Sequence, residues 1–225
     1  MTRPLGAVAG VIAGLLALAV WAGSAVVPVE DWSKHPVGAK GIPEGWQGGQ
    51  TWGSPAYDFA VVQESSLKAL HLRSQADSST ISKAVKVNLK ETPVLEWQWK
   101  AVTLPNGADA RKKDTDDQAL QLYLTWERFP KRIRSRIIGY IWDSAAPTGS
   151  VLKSQKTGLI TYVVVRSGAT DLGKWLSESR NVYEDYKRIY GEEPDALDAV
   201  SIAIDSDDTK SSAEAYVGAI RFRTP

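Results

Sequence analysis

Apolar and polar residues alternate with a period of two along most of the chain after Pro55. The clearest stretch is "VLEWQWKAV", Val94 to Val102. There Leu95, Trp97, Trp99 and Ala101 fall on one face, and Glu96, Gln98 and Lys100 on the other. "ALQLYLTWE" repeats the pattern with Leu120, Leu122, Leu124 and Trp126, and "DAVSIAID" with Val200, Ile202 and Ile204. "LKALHLR" groups Leu70 with Leu72, and "ISKAVKVNL" groups Ile81, Val85, Val87 and Leu89. "RSRIIGYIW" sets Ile138, Tyr140 and Trp142 together, and "AEAYVGAIRF" sets Tyr216, Ile220 and Phe222 together. "LITYVVVRS" is almost continuously apolar, as a central strand covered on both faces is.

"NVYEDYKRIY", Asn181 to Tyr190, breaks the period. Its apolar residues Val182, Tyr183, Tyr186, Ile189 and Tyr190 have helical spacing. Asn181 with Glu184 resembles a capping box. Gly191 can end the helix in the left-handed conformation, and Pro194 prevents its continuation. Trp175 to Arg180 fits either strand or helix. With about eight or nine strands, one helix and no β-α alternation, the pattern predicts a mainly β fold. The expected architecture is an antiparallel, jelly-roll-like β-sandwich with one helix near Asn181–Tyr190, built from residues 56–225 as a single domain.

Two segments precede it. "MTRPLGAVAGVIAGLLALAVWAGSA" carries one positive charge, Arg3, then an apolar run from Leu5 to Trp21, then small residues at Gly23 and Ala25. This is the layout of a secretory signal peptide over residues 1–25. An uncleaved inner-membrane anchor is the alternative, because the run approaches the length of a bilayer span. Either way the segment engages the membrane during export, and the expected location is periplasmic or secreted. Residues 26–55, including "GIPEGWQGGQTWGSP", read as an irregular lead-in anchored by Trp32, Trp46 and Trp52.

Composition narrows the function. Lys+Arg is 27 and Asp+Glu is 26, a formal +1, so nucleic acid is not an expected partner. There is no cysteine, which excludes a thiol nucleophile, a disulfide framework and thiolate metal sites. The only histidines are His35, without a partner signal, and His71, on the polar phase of its strand. No GxSxG, HExxH, P-loop or GxGxxG pattern occurs.

Two acidic stretches stand out: "DTDD", with Asp114, Asp116 and Asp117, and "DSDD", with Asp205, Asp207 and Asp208. If the strand after the first and the strand before the second are antiparallel neighbours, the clusters meet at one end of the sandwich. Six aspartates could then supply oxygen ligands to Ca²⁺, although neither stretch has the Gly and distal Glu of an EF-hand. Turn chemistry and ion pairs are the plainer reading, with Arg111, Lys112 and Lys113 at hand. A catalytic Asp pair is a third. Trp46, Trp52 and Trp175 sit in irregular or ambiguous stretches and are candidate sugar-stacking rings, whereas Trp97 and Trp99 belong with the core. "RFPKRIRSR" places Arg128, Arg132, Arg134 and Arg136 on one face if it is a strand. It suits either a polyanion, such as anionic lipid headgroups or acidic polysaccharide, or a charged edge that resists aggregation.

The segments "LEWQWK", "DTDDQALQLYL", "RNVYEDYKRIYGEEPDALDAVSIAIDSDDT" and "AYVGAIRF" resemble the exported bacterial family catalogued as domain of unknown function 3047, over Ala56 to Phe222. That resemblance implies an envelope location and one domain, and no activity. More distantly, the chain is similar to the galactose-binding-like sandwiches of many carbohydrate-binding modules, a likeness of fold. The expectation is a non-enzymatic envelope sandwich binding a glycan or another envelope component. The alternatives are a saccharide hydrolase using an Asp pair and an assembly protein without a small ligand.

Overall fold

Where the alternation is clean, the apolar phase is the buried one. Leu95, Trp97, Trp99 and Ala101 are buried, as are Leu120, Leu122, Leu124 and Trp126, and Val200, Ile202 and Ile204. In a computed structural model, which describes residues 25–49 and 55–225, these strands form two packed sheets. In chain order the strands are β1 (Val26–Glu30), β2 (Gln47–Gly48), β3 (Asp58–Glu64), β4 (Leu67–Gln75), β5 (Ser78–Val87), β6 (Val94–Thr103) and β7 (Leu120–Trp126). They continue as β8 (Arg136–Asp143), β9 (Val151–Lys153), β10 (Ile160–Ser167), β11 (Leu176–Asn181), β12 (Leu197–Asp205) and β13 (Ser212–Arg223). Two helices, α1 (Lys131–Arg134) and α2 (Val182–Tyr190), interrupt them.

One sheet runs β11-β6-β13-β4-β3, with β1 pairing to β13 beyond the point where β4 leaves it. The other runs β2-β5-β12-β7-β8-β10-β9. All pairings are antiparallel except β8 with β10, which is parallel because β9 and its turns carry the chain back to the starting end. The sheets meet through tryptophan: Trp97 stacks on Tyr140 at 5.4 Å, and Trp99 lies 5.9 Å from Trp142. Truncating one such ring to alanine costs about 3–5 kcal/mol.

α2 forms as its sequence predicts. Asn181 accepts a hydrogen bond from the Glu184 N–H, and Gly191 closes the helix at φ 72°. The Trp175–Arg180 ambiguity resolves as strand, since Leu176–Asn181 is β11 against β6. Two expectations are corrected. Tyr216 faces outward while Ile220 and Phe222 face the core, because a bulge between Val217 and Ile220 inverts the phase of β13. "RFPKRIRSR" is not one strand: Lys131–Arg134 form a single helical turn that begins after Pro130.

The register also fixes the two ends of the sandwich. Val26, Arg223, Val94 and Asn181 align in one sheet. Val87 aligns with Leu197, and Trp126 with Arg136, in the other. The short turn from Val87 to Val94 joins these rows, so the start of β1 and the α1 turn share one end. The acidic stretches lie at the opposite end.

Candidate functional site

The outward phase of the seven-stranded sheet carries the site. Ser82, Ser201, Tyr123, Gly139 and Tyr162 are register partners across β5, β12, β7, β8 and β10. Residues in register project from the same face, so they form a row crossing five strands, about 19 Å long at the usual strand spacing. Gly139 makes the row flat. A Cβ there would stand 2.8 Å from Tyr123 Cε1 and 3.1 Å from Tyr162 Cδ1, so both rings lie over the glycine. Tyr123 is half-buried, and Tyr162, 4% exposed, backs it. The Ser201 and Ser82 hydroxyls are bonded to each other at 3.0 Å. Thr80 and Gln121 flank the row toward the acidic end, and Thr125, Ile137 and Ile160, themselves in register, flank it toward the α1 end. Together they floor a cleft of ≈ 470 Å³.

A hydrogen-bonded chain sets the rings. Tyr123 OH donates to Gln121 Oε1 at 2.9 Å, and the Gln121 amide donates to Gln118 Oε1. The Gln118 amide donates to Asp116 Oδ1 at 2.8 Å, and Tyr162 OH donates to Asp116 Oδ2 at 3.3 Å. Both phenols are pushed up by burial and then by nearby acidic groups, so they remain protonated donors. Asp116 is itself pushed up to about 6. Burial outweighs the Gln118 hydrogen bond, the Lys156 charge and the Tyr162 hydrogen bond.

The acidic stretches border the cleft and divide into separate roles. Because β7 and β12 are antiparallel neighbours, Asp117, Asp205 and Asp207 come together, each offering an oxygen within 4.8 Å of the others. Asp117 is already engaged, accepting from the Asp208 N–H at 3.1 Å, the Thr209 N–H at 2.7 Å and the Thr209 hydroxyl at 2.6 Å. Asp205 is pushed up by burial and then by the charges of Asp117 and Asp207. Lys156 pairs with Asp208 and lies 4.0 Å from Asp207. Burial opposes its charge, and the Asp208 hydrogen bond and surrounding carboxylates still hold its pKa up. Asp114 is exposed, and Asp116 belongs to the tyrosine network. Arg111 and Lys112 pair with Asp109, not with the acidic stretch that follows them.

The tryptophan candidates lie elsewhere. Trp46 is 5% exposed, stacks on Trp32 at 5.9 Å and donates to Glu30 at 3.0 Å, so it offers no face to a ligand. Of the two roles the sequence allows it, anchor of the lead-in and candidate stacking ring, the packing fits the first and not the second. Trp52 lies outside the described residues. Trp175 is half-buried on the outer face of the other sheet, with Lys100 Nζ 5.5 Å from its ring centroid. The histidines also have partners: His35 approaches Glu30 at 3.5 Å, and His71 bonds Glu214 at 2.7 Å and stacks on Tyr216. Sequence reasoning missed the row through Tyr123, Gly139 and Tyr162. Its signal was a tyrosine on the polar phase of "LQLYLTW" and a glycine in the middle of "IIGYI".

No curated protein sequence matches the chain. Among solved structures it is similar to the family 11 carbohydrate-binding module from Clostridium thermocellum in complex with a β-1,3-1,4-mixed-linked tetrasaccharide, at 8% identity, covering 88% of this chain and 94% of that one, with a TM-score of 0.44. It is similar to the family 30 carbohydrate-binding module of a Clostridium thermocellum cellulosomal cellulase, at 10% identity, 88% and 96% coverage and a TM-score of 0.42. It is also similar to the xyloglucanase domain of a type three effector from Sinorhizobium fredii in complex with cellobiose, at 8% identity, 84% and 96% coverage and a TM-score of 0.42. The family described as protein of unknown function DUF3047 matches residues 44–221, and the chain belongs to that family.

Proposed function

We propose that this protein is a non-enzymatic β-sandwich of the bacterial envelope that binds a glycan along the Ser82–Ser201–Tyr123–Gly139–Tyr162 row. The flat placement of the two tyrosines over Gly139 carries the reading. An aromatic face bordered by hydroxyls and amides matches a sugar, which has an apolar ring face and polar edges. Export supplies the compartment: cleavage after Ala25 gives a periplasmic or secreted product, and retention of residues 1–25 gives an inner-membrane one. N-terminal sequencing of the protein recovered from the periplasm separates the two.

Binding is tested with a glycan array followed by calorimetry on the parent and Tyr123→Ala. Loss of the Tyr123 ring should weaken affinity about five-fold, since one aromatic contact contributes about 1 kcal/mol. Trp175→Ala, on the other sheet, should leave affinity unchanged. A parent that binds no envelope or extracellular glycan sinks the reading.

A hydrolase working through an Asp pair is the second reading, favoured by the raised Asp205 at the cleft wall. Release of new reducing ends from a bound glycan, abolished in Asp205→Asn while binding persists, would replace the first reading with this one.

A further inference from the structure

We propose that the turn joining β7 to β8, residues 127–135, is a membrane-docking tip that seats Phe129 and Ile133 in the surface of an anionic phospholipid bilayer. Phe129 is 86% exposed and Ile133 74% exposed, well above any other large apolar side chain among the described residues. They stand four positions apart across the single turn of α1, so they project from the same protrusion.

The charges in and beside the turn fall into two sets. Arg128 pairs with Glu192 and Asp195, Arg136 pairs with Glu192, and Lys131 pairs with Glu127. Arg132 and Arg134 are exposed and form no ion pair among the described residues. Arg134 makes only a 3.4 Å hydrogen bond to the Phe129 carbonyl. Two uncompensated guanidinium groups therefore flank two bare apolar side chains. A bilayer offers the complementary order, anionic headgroups outside and hydrocarbon beneath.

Where residues 1–25 are retained, the register favours a bilayer over a soluble partner. The apolar run Leu5–Trp21 precedes Val26 in the sequence, and Val26 begins β1 at the same end of the sandwich as α1. The segment expected to engage the membrane thus leads directly into the end that carries the tip. Lys131, Arg132 and Ser135 also line the cleft, so docking would bring the mouth of the cleft to the headgroup layer. The proposal does not depend on what the cleft binds.

The chain has no cysteine, so single-cysteine labels are unambiguous. The full chain carrying Ile133→Cys with an environment-sensitive dye is incubated with vesicles of phosphatidylglycerol and phosphatidylethanolamine containing brominated lipid, and with zwitterionic phosphatidylcholine vesicles. Lys113→Cys, exposed at the opposite end, is the reference. The expected result is a blue shift and bromine quenching of the Ile133 label in anionic vesicles only. The Lys113 label should be unaffected, and the Ile133 effect should be lost in Arg132→Glu/Arg134→Glu. An Ile133 label as water-exposed as the reference overturns the proposal, and so does an equal shift in both lipids. A lipid-independent shift that grows with protein concentration assigns the tip to self-association and overturns it as well.

Discussion

Glu30 and Asp205 are both carboxylates held against the body of the sandwich, and their surroundings drive them in opposite directions. Glu30, 6% exposed at its side chain, has a donor for each lone-pair direction that matters. Its Oε1 accepts from the Asp31 and Trp32 N–H groups at 3.1 and 3.0 Å, and its Oε2 accepts from Trp46 Nε1 at 3.0 Å and Lys83 Nζ at 2.8 Å. Burial raises its pKa, but these hydrogen bonds and the Lys83 charge prevail and bring it to about 2. Asp205 has the Asp207 N–H at 3.3 Å and two neighbouring carboxylates, so burial and repulsion both push it up. Asp116, on the same cleft wall, is likewise raised. A saturated carboxylate locks structure, here tying the lead-in to β5. An unsaturated one at a cleft wall keeps capacity for a ligand.

The largest effect should come from breaking the saturated side. Glu30→Ala leaves Lys83 without its carboxylate and Trp46 Nε1 without its acceptor, and should cost about 3–5 kcal/mol in urea unfolding. The pH dependence has a definite sign. The Glu30 pKa is lower folded than unfolded, so its contribution is complete above 4.5 and is lost as pH falls through about 2. A variant with parental stability at pH 7 would remove the distinction between the two regions.

Asp116 should behave in the opposite sense. Its pKa is raised from 3.8 to about 6, so its contribution is complete below 3.8 and is lost as pH rises through about 6. Asp116→Asn keeps an oxygen for Tyr162 or Gln118 and removes the buried charge. It should flatten the stability profile between those pH values and gain about 2 kcal/mol at pH 7. Destabilisation at pH 7 would mean that the charged form is satisfied after all, as Glu30 is.

The two regions also differ in how far the sequence exposes them. Clean alternation in Leu95–Ala101 and Leu120–Trp126 identifies the buried faces, because period two is a local property of a strand. Helix α2 is legible for the same reason, its cap and stop lying within the segment. The acidic corner is half legible. Antiparallel β7 and β12 bring Asp117 beside Asp205, but which oxygens remain free depends on Thr209 and Lys156. The tyrosine row is not legible as a row, since it needs the register of strands far apart in sequence and a parallel β8–β10 pair. Trp46 reads two ways because a Gly- and Pro-rich context says how the backbone turns and nothing about what the ring meets.

Gly139 sharpens the contrast between the packed lead-in and the open cleft. Gly139→Ala puts a methyl group against both rings, at 2.8 and 3.1 Å, and one of them must move. The loss should be about 1–2 kcal/mol in urea, because Tyr123 can swing toward the open cleft at the expense of its hydrogen bond to Gln121. Under the glycan reading the same variant weakens binding by displacing the stacking ring. A loss as large as that of Glu30→Ala would mean that the cleft face is packed as tightly as the lead-in.

The smallest expected effect concerns Ca²⁺, and it tests whether the acidic corner already holds its own cation. Lys156 reaches the corner from the β9–β10 turn and pairs with Asp208 while its own burial works against its charge. Asp117 has both oxygens committed to the Asp208–Thr209 backbone and the Thr209 hydroxyl. With one carboxylate occupied and an ammonium group in place, a site for a cation that takes 6–8 oxygens lacks ligands. Thermal unfolding in EDTA and in millimolar Ca²⁺ should therefore give the same midpoint. A bound ion at 100 times its Kd would add about 2.7 kcal/mol, a rise of about 5–10 °C for a chain of this length. A rise of that size, abolished in Asp205→Asn, would assign the corner to Ca²⁺ and make Lys156 a partner of Asp208 alone. Lys156→Met separates the cases further. If the lysine neutralises the corner, its removal raises Asp205 further and makes the variant less stable at pH 8 than at pH 5, while the parent changes less between the same two pH values.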